Sequence, residues 1–390
     1  MTESLAYQHH YPQEEGNYFP AIHLVERPAV KPRCVDFFAG SGLVAQAMKS
    51  CFDTVWANDI CQKKQAVFAA NHPPDIFYSG SIEHINGRDL PAHEVSWASF
   101  PCQDLSVAGN ITGIKGQRSG LVWQWLRVID EMAQHPPVVV AENVVGLVSA
   151  KSGEHYLSLH NALRERGYSV GAVMLDAVNW LPHSRPRIFV IGIKQNLDYS
   201  SYTTQKPNWA HSKAIISIAA KAKEWVWWQL PTPAPRTTDL SSMIDFALPF
   251  DDAQKVSHHL NMIPDNHKLK LAAAAAVKKG VKVFPGYKRT RHGKQVLEIR
   301  FDGIAGCLRT PSGGSSRQQL VIYKDGILGT RLISIREAAR LMGAEDSYQI
   351  PGSYNQGYKA MGDAIAVPAV NYLSEHLLSK LAALATEQAA

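Results

Sequence analysis

The segment Cys34–Gly42 reads CVDFFAGSG and decides the fold. It begins with apolar residues, as a buried strand does, and its glycines come just before a helix-like stretch, Leu43–Cys51. Apolar residues recur there at helical spacing, so they fall on one face of the predicted helix. Glycines at a strand-to-helix turn let the backbone approach a ligand at the carboxyl edge of an open α/β sheet. A plain tight turn is the alternative for so short a loop.

Strand-like and helix-like segments alternate from Arg33 to about Ile193. Short apolar segments predict strands at Cys34–Phe38, Thr54–Ala57, Ser96–Phe100, Val138–Ala141, Val170–Leu175 and Ile188–Ile193. Helices are predicted at Leu43–Cys51, Cys61–Asn71, Gly120–Gln134 and Tyr156–Arg166, and near the C-terminus at Ile335–Met342 and Ala366–Leu381. This alternation predicts an α/β fold with a mainly parallel sheet that helices cover on both sides.

Positive charge is concentrated in one part of the chain. The 390 residues carry a formal net charge of +6, but residues 199–330 hold 19 Lys and Arg against 9 Asp and Glu. That excess of ten leaves a net charge of −4 on the remainder. Apart from a helix-like stretch at Leu269–Lys279, this segment is irregular in pattern. We expect the tryptophans of Trp225–Trp228 in core packing rather than in base stacking.

These patterns predict three parts. Residues 1–32 are polar and punctuated by proline, so they are expected to form an N-terminal arm. Residues 33–198 together with 331–390 are expected to form the α/β domain. Residues 199–330 are expected to form a smaller, irregular and basic domain inserted into it, which favours an anionic partner.

Composition argues against several classes of protein. The 45% hydrophobic and 19% charged residues are typical of a globular protein. The N-terminus lacks a basic start followed by an apolar stretch, and the longest apolar run, Leu271–Val277, is far below the roughly 18 residues that span a bilayer. We therefore expect neither a signal peptide nor a membrane span, and a cytoplasmic location. No metal is expected, because no CxxC pair is present and His9–His10 and His258–His259 have no second ligand cluster.

Polar and reactive side chains follow several of the predicted strands. Asp59 comes about twenty residues after the glycine loop, where an acid can bind ribose hydroxyls. Cys102 is a candidate nucleophile, with small apolar core residue as the alternative. Glu142 ends an apolar strand, and a carboxylate there is costly unless it is paired or functional. Arg185 and Arg187 would point to one side of an extended segment and suit phosphate or carboxylate recognition; ordinary surface arginines are the alternative.

Taken in order, these segments resemble the motifs of the C5-cytosine DNA methyltransferases. Asp36–Gly42 resembles the motif that holds S-adenosylmethionine, Pro101-Cys102-Gln103 the nucleophile motif, Glu142-Asn143-Val144 the acid motif, and Arg185-Pro186-Arg187 the paired-arginine motif. Arg336–Gly343 and Gly362–Pro368 resemble the last two motifs of the family. The resemblance spans roughly Arg33–Leu373. It implies a Rossmann-like, S-adenosylmethionine-dependent methyltransferase domain, with a target-recognition domain inserted before the C-terminal motifs.

The resemblance also implies a covalent mechanism on a base that has flipped out of the duplex. Cys102 would add to carbon 6 of cytosine, which makes carbon 5 enamine-like and able to accept the methyl group. Glu142 would carry or share a proton with ring nitrogen 3. Arg187, with Arg185 as a second candidate, would hold the base carbonyl or the flanking phosphate. The loop Ser106–Ser119 would close over the base as a lid.

Cofactor-binding residues follow from the same resemblance. The implied set is Phe38, Ala39, Gly40, Gly42, Asp59, Ile60, Ser81, Ile82, Pro101, Leu121, Asp363 and Ala364. Three positions depart from the pattern of the family, because Ser81 replaces a frequent acid, His183 a frequent Gln and Asp363 a frequent Asn. These departures bear on cofactor affinity rather than on Cys102 or Glu142.

The basic segment stands where the family carries its target-recognition domain. Tyr287–Lys294 is a concentrated cationic stretch that suits phosphates and guanine edges. The predicted DNA-binding residues are Gln103, Ser106, Lys288, Arg289, Arg291, Arg309 and Arg317. The expected substrate is a specific sequence in double-stranded DNA and the expected state is a monomer. A paired restriction endonuclease that does not bind the protein directly is compatible with the predicted function.

Two other functions stay open. Related tRNA enzymes share the Pro-Cys-Gln and Glu-Asn-Val motifs but have a small recognition region, so the long basic segment favours DNA over tRNA. A catalytically silent DNA-binding regulator with the same fold would not need Cys102 and Glu142, and both are intact here.

Overall fold

Seven strands form the larger of two sheets in the computed structural model, which describes residues 31–101, 120–276, 280–309 and 317–389. These strands are β1 (Arg33–Phe37), β2 (Asp53–Asp59), β3 (Phe77–Ser79), β4 (Val95–Ala98), β5 (Val138–Val144), β6 (Tyr168–Asp176) and β7 (Pro186–Lys194). Their order is β3-β2-β1-β4-β5-β7-β6. The first five pair in parallel, and β7 runs antiparallel to both β5 and β6. The predicted α/β fold with a mainly parallel sheet is confirmed.

Helices cover both faces of this sheet. In the first part of the chain they are α1 (Leu43–Met48), α2 (Gln62–Ala69), α3 (Leu121–Glu131), α4 (Gly146–Ser149), α5 (Glu154–Glu165) and α6 (Lys213–Ala219). The helices of the second part are α7 (Ala253–Asn261), α8 (Asp265–Ala276), α9 (Ile335–Leu341), α10 (Tyr354–Asp363), α11 (Val367–Leu373) and α12 (Ser379–Ala389), and of these α11 and α12 pack on the larger sheet. A short π-helical turn, Ser374–Leu378, joins the last two.

Alternate residues of the strands supply two separate cores. Val138 and Val140 of β5 pack on the face that α1, α11 and α12 cover, whereas Val139 and Ala141 pack on the face of α3, α5 and α6. Side chains of a strand point alternately to opposite faces, so a strand buried on both faces reads as the continuous apolar run that the sequence shows. The central strands are thereby fixed between two layers of helices, with their carboxyl ends at one edge.

The basic segment contains a second sheet that the sequence reading missed. Its strands are β8 (Lys282–Arg291), β9 (Lys294–Ile299), β10 (Gln319–Lys324) and β11 (Ile327–Leu332), and they pair antiparallel in the order β11-β10-β8-β9. One face packs on α9 and α10 through Leu320 and Ile322, and the other on Ile263 and Leu271 through Phe284 and Val321. The expectation of an irregular domain is therefore incomplete.

Residues 199–230 pack with the larger sheet, although they were expected in the second domain. Trp228 is fully buried in the core that also contains Val173 and Phe189, which confirms packing as its role. The N–H of Val226 donates to the carbonyl oxygen of Val170 (3.1 Å), so this segment runs alongside β6. Gly171 permits the approach, because a β-carbon there would lie 2.0 Å from the carbonyl oxygen of Val226.

Several expectations differ in detail or stay untested. The sequence reading missed β3, because three residues are too few to show a period. The predicted strand Val138–Ala141 ends too early, because β5 continues to Val144 and carries Glu142 inside it. Residues 1–30 lie outside the described residues, so the predicted N-terminal arm stays a prediction.

The described residues contain neither a candidate membrane span nor a candidate metal site. Within residues 31–101, 120–276, 280–309 and 317–389, no helix is long and apolar enough to cross a membrane. The same part of the chain contains no group of three or more His, Cys, Asp or Glu side chains placed to hold a metal ion.

Candidate active site

A cavity of about 950 Å³ opens at the carboxyl ends of the parallel strands β1 to β5. The start of β7, residues 307–309 and residues 359–365 complete its wall. The residues predicted from the sequence that line it are Phe38, Ala39, Gly40, Asp59, Ile60, Ser81, Ile82, Pro101, Leu121, Glu142, Arg185, Arg187, Arg309, Asp363 and Ala364. One cavity therefore brings together residues proposed for the cofactor, for catalysis and for DNA. The predicted residues Cys102, Gln103 and Ser106 lie outside the described residues.

The loop after β1 has an unusual backbone. Phe38, Gly40 and Gly42 all have positive φ angles, of 60°, 59° and 85°. The conformation is rare for a residue with a β-carbon, and at Phe38 it marks strain of the kind that collects at functional sites. Gly42 does not line the cavity. It begins α1, and a β-carbon there would lie 2.6 Å from the ring of His72, so only glycine fits.

Asp59 fixes this loop and leaves acceptor capacity toward the cavity. Its Oδ2 accepts the N–H of Gly40 (3.0 Å), and its Oδ1 accepts the N–H of Cys61 (2.8 Å). Each carboxylate oxygen has a second lone pair, so the buried side chain can still accept from hydroxyls. The next residue, Ile60, is 71% exposed although it is apolar. An exposed apolar side chain on a cavity wall provides a surface for a flat ring.

Ser81 has a structural duty besides its place in the cavity. Its Oγ accepts the N–H of Glu83 (3.3 Å) and caps a short 3-10 turn, Ile82–His84. Asn58, which the sequence reading left without a role, holds the same loop by donating from Nδ2 to the carbonyl oxygen of Gly80 (2.8 Å). The hydroxyl of Ser81 in turn donates to Oε2 of Glu83 (3.4 Å).

Glu142 and Arg187 form an ion pair inside the cavity, with 3.1 Å between Nε and Oε1. Glu142 is only 9% exposed. Burial raises the pKa of Glu142, while Arg187, Arg185 and a hydrogen bond from Ser99 partly oppose that rise. A buried carboxyl group of this kind can carry a proton at a higher pH than an ordinary glutamic acid.

Asn143 ties the end of β4 to β5. Its Nδ2 donates to the carbonyl oxygen of Phe100 (2.9 Å). This bond fixes the chain two residues before Cys102, next to Glu142. Asn143 therefore holds the segment that leads into the predicted nucleophile motif.

Arg185 is placed differently from the expectation that it holds a base or a phosphate. It is 1% exposed, and its terminal nitrogens donate to the carbonyl oxygens of Leu308 (2.9 Å), Gly362 (2.8 Å) and Ala364. A planar guanidinium with several donors suits such a junction of backbone segments. Arg185 therefore joins β7 to two other walls of the cavity, and of the two arginines it is Arg187 that pairs with Glu142.

His183 joins the same wall. Its Nδ1 donates to the carbonyl oxygen of Leu341 (2.8 Å), and its Nε2 accepts the N–H of Leu308 (3.3 Å). Burial and the charge of Arg185 lower the pKa of His183 to about 3, which keeps the ring neutral. This departure from the family pattern is structural, and it does not touch Glu142.

Lys64 is a cavity residue that the sequence reading missed. Its Nζ lies 2.9 Å from Oδ2 of Asp363, which departs from the frequent Asn of the family. The available signal was its position in the first turn of the helix that follows Asp59, since that turn starts at the same sheet edge. Lys359, Cys307 and Leu308 also line the cavity and were missed.

The predicted DNA-binding residues that the structure describes lie in two places. Lys288, Arg289 and Arg291 all lie on β8. They line neither this cavity nor a second, smaller cavity that shares part of its wall. Arg291 already pairs with Glu298 of β9 (2.6 Å). Arg309 lines the cavity, and Arg317 donates to Oδ1 of Asn355 (2.6 Å) and lines the smaller cavity.

Comparisons with known proteins point to one family. A family model of C-5 cytosine-specific DNA methylases matches residues 32–379. The type II methyltransferase M.HhaI of Haemophilus parahaemolyticus is 25% identical over 365 residues, which cover 92% of this chain and 98% of that protein. The type II methyltransferase M1.ScrFI of Lactococcus lactis subsp. cremoris is 26% identical over 375 residues, 93% of this chain and 82% of that protein.

Solved structures share the fold. The Dnmt2 methyltransferase of S. pombe aligns with a TM-score of 0.56 at 18% identity, over 92% of this chain and 99% of that one. The methyltransferase EhMeth of Entamoeba histolytica aligns with a TM-score of 0.56 at 14% identity, over 90% of this chain and 99% of that one. The larger sheet and its helices therefore have the Rossmann-like architecture of methyltransferases.

Proposed function

The chain belongs to the family of C-5 cytosine-specific DNA methylases, and we propose that it uses S-adenosylmethionine and the thiol of Cys102 to methylate a flipped-out cytosine. It is a DNA (cytosine-5-)-methyltransferase, and the two relatives named above are type II methyltransferases. The observation that carries the residue assignment is the buried Glu142–Arg187 pair, which shares one cavity with the glycine loop and Asp59.

The cavity fits S-adenosylmethionine by the chemistry of its wall. Asp59 retains acceptors for ribose hydroxyls, Ile60 offers an exposed apolar surface for the adenine, and Gly40 has no side chain to project into the cavity that it lines. When bound, the cofactor supplies an electrophilic methyl group on a sulfonium. We propose that Phe38, Ala39, Ser81, Ile82, Pro101, Leu121 and Ala364 complete the binding site.

Glu142 and Arg187 would act on the cytosine ring. The carboxyl group of Glu142 gives a proton to, or shares it with, ring nitrogen 3, which offsets negative charge as the thiolate of Cys102 adds to carbon 6. Arg187 keeps Glu142 in place and donates to the base carbonyl or the flanking phosphate. After methyl transfer, loss of the proton on carbon 5 and breakage of the bond between Cys102 and carbon 6 restore the aromatic ring.

The substrate that we propose is a specific sequence in double-stranded DNA. A base inside a duplex cannot reach this cavity, so the target must flip out. We assign target recognition to the basic region around the four-stranded sheet. This region is narrower than residues 199–330, because residues 199–230 pack with the larger sheet. We further propose a monomer that acts in the cytoplasm, where its DNA lies, beside a restriction endonuclease that it need not contact.

A transfer assay tests this function against the two alternatives. The protein is incubated with radiolabelled S-adenosylmethionine and either duplex DNA or tRNA, beside Cys102→Ser and the control Cys51→Ser, which changes a cysteine outside the cavity. We expect label in DNA with wild type and Cys51→Ser, and none with Cys102→Ser. Label only in tRNA would favour the tRNA enzyme, and label in neither would favour a silent regulator.

A further inference from the structure

Lys64 and Asp363 form an ion pair on the cavity wall, next to Asp59. Lys64 of α2 and Asp363 at the end of α10 place their charged atoms 2.9 Å apart, and their side chains are 18% and 24% exposed. Both line the cavity, so the pair faces its interior while linking two walls. Solvent screens such a pair less than a surface pair, so it presents a fixed positive and a fixed negative end.

Lys64 lies next to the proposed ribose site. A β-carbon on Gly40 would be 3.8 Å from Cδ of Lys64 and 3.9 Å from Oδ2 of Asp59, so the two side chains flank the same glycine. Burial alone would lower the pKa of Lys64, but the charges of Asp59 and Asp363 raise it above its ordinary value. The wall therefore carries a carboxylate, a charged ammonium and a second carboxylate in succession.

The cavity wall next to the Lys64–Asp363 pair is cationic. A smaller cavity of about 280 Å³ shares Cys61, Lys64, Lys359 and Ala360 with the main one. Its charged lining residues, among those that the structure describes, are all cationic: Lys63, Lys64, Lys359 and Arg317. A bound anionic group is therefore favoured on the side of Lys64, and a cationic group on the side of Asp363.

We propose that Lys64 is a cofactor-binding residue. Its Nζ holds the α-carboxylate at the amino-acid end of S-adenosylmethionine, while Asp363 holds the α-ammonium of the same molecule. The inference rests on the proposed use of S-adenosylmethionine. That molecule and its product S-adenosylhomocysteine both end in an α-amino acid zwitterion, and the Lys64–Asp363 pair has the complementary order of charges. Lys64 then provides a charge partner for Asp363, the residue that replaces the frequent Asn of the family.

Calorimetric binding of two nucleosides tests the role of Lys64 without turnover. The probes are S-adenosylhomocysteine and its decarboxylated analogue, which lacks the carboxylate but keeps the ammonium. We expect wild type to bind the decarboxylated analogue more weakly, on the order of tenfold or more. Lys64→Met should weaken S-adenosylhomocysteine by on the order of tenfold and leave the analogue unchanged or tighter, so the preference disappears. Lys64→Arg, which keeps the charge, should retain most of it.

Lys221→Met controls for loss of one positive charge, since the exposed Lys221 lines neither cavity, and it should keep the wild-type preference. Thermal melting of each variant shows whether it is folded, and Lys64→Gln, which also removes the charge, carries the test if Lys64→Met is not. Equal weakening of both probes by Lys64→Met, no weakening of either, or a wild type without preference would overturn the inference. A wild type that binds neither nucleoside would instead contradict the proposed cofactor.

Discussion

Glu142 shows how one buried residue links the fold to the chemistry. It lies inside β5 and is only 9% exposed, so an isolated carboxylate there would be costly. Arg187 on the neighbouring strand β7 offsets that cost, and burial still leaves the pKa of Glu142 raised. The position therefore favours a carboxyl group that holds a proton when the base arrives.

Changing Glu142 to Gln should slow the chemical step. The amide keeps the shape and can donate a hydrogen bond, but it has no proton to transfer, so we expect a loss of about 10²- to 10⁴-fold in the single-turnover rate. In the proposed mechanism the protonated carboxyl is the active form, so the wild-type rate should fall as pH rises through the raised pKa of Glu142. This alkaline decline should be absent in the variant.

The measurement is methyl transfer to DNA as a function of pH, with S-adenosylhomocysteine affinity as the control for an intact cofactor site. A variant with the wild-type rate, or with an unchanged alkaline decline, would contradict the role of Glu142.

Substitution of Arg185 should mainly lower stability, whereas substitution of Arg187 should mainly lower the methyl-transfer rate. Arg185→Met leaves buried carbonyl groups without donors, so we expect the free energy of unfolding to fall by about 3 kcal/mol, and Arg185→Lys should not restore it because the forked geometry is lost. Arg187→Met should lower the methyl-transfer rate with a smaller loss of stability. Urea denaturation and the transfer assay measure both. Equal effects of the two substitutions on stability and on rate would show that the division of roles is wrong.

At the scale of elements, residues 199–230 behave as part of the larger sheet. Trp228→Ala should destabilise the protein by about 3 to 5 kcal/mol, because it removes a fully buried ring from the core around Val173 and Phe189. Trp227→Ala, at a half-buried neighbour, should cost less. Chemical denaturation gives both values. A Trp228→Ala protein of wild-type stability but reduced DNA affinity would instead place this segment in the recognition domain.

The hairpin of β8 and β9 should contribute to DNA affinity mainly through Lys288 and Arg289. Loss of one phosphate contact reduces the slope of log K against log salt concentration by about 0.9. We expect this for Lys288→Met. A smaller change is expected for Arg291→Met, since Glu298 already pairs with Arg291. Titrations of DNA binding at several salt concentrations test this, with Lys221→Met, far from the hairpin, as the control. An unchanged slope in Lys288→Met would exclude that residue from the DNA contacts.

The sequence predicts the elements of the first sheet better than those of the second. Strands of a sheet buried on both faces are continuous apolar runs, which are easy to recognise. In β8, by contrast, Pro285 and Gly286 interrupt the pattern, and such residues argue against a central strand. One usable signal was present: Asp325–Gly326 joins β10 and β11 with φ angles of 51° and 82°, as the favoured two-residue hairpin turn requires.

Side-chain pairs between distant segments could not be predicted in the same way. Strand ends placed Asp59 and Glu142 at one edge, and the structure brings them into one cavity. The junction that Arg185 makes, and the pairing of Lys64 with Asp363, depend on how α10 and residues 307–309 close the cavity. Local periodicity carries no information about such contacts.

Positive charge is concentrated in one part of the whole molecule, and the remainder is slightly negative. The net charge of +6 combines an excess of ten positive charges in residues 199–330 with a net −4 elsewhere. The cavity that we propose for the cofactor lies at the edge of the larger sheet, and its charged residues are partly paired with one another. DNA affinity is therefore expected to depend strongly on salt concentration, and cofactor affinity much less so.

Covalent trapping tests the central claim most directly, because it joins the nucleophile, the cofactor and the flipped base in one event. Wild type is incubated with S-adenosylmethionine and random-sequence duplexes in which 5-fluorocytosine replaces cytosine. The fluorine cannot leave as a proton does, so the enzyme should remain bonded to DNA through denaturing electrophoresis. Mass spectrometry should find the adduct on Cys102. Cys51→Ser should form the same adduct and Cys102→Ser none. A wild type that forms no adduct, or an adduct on another residue, would contradict the account.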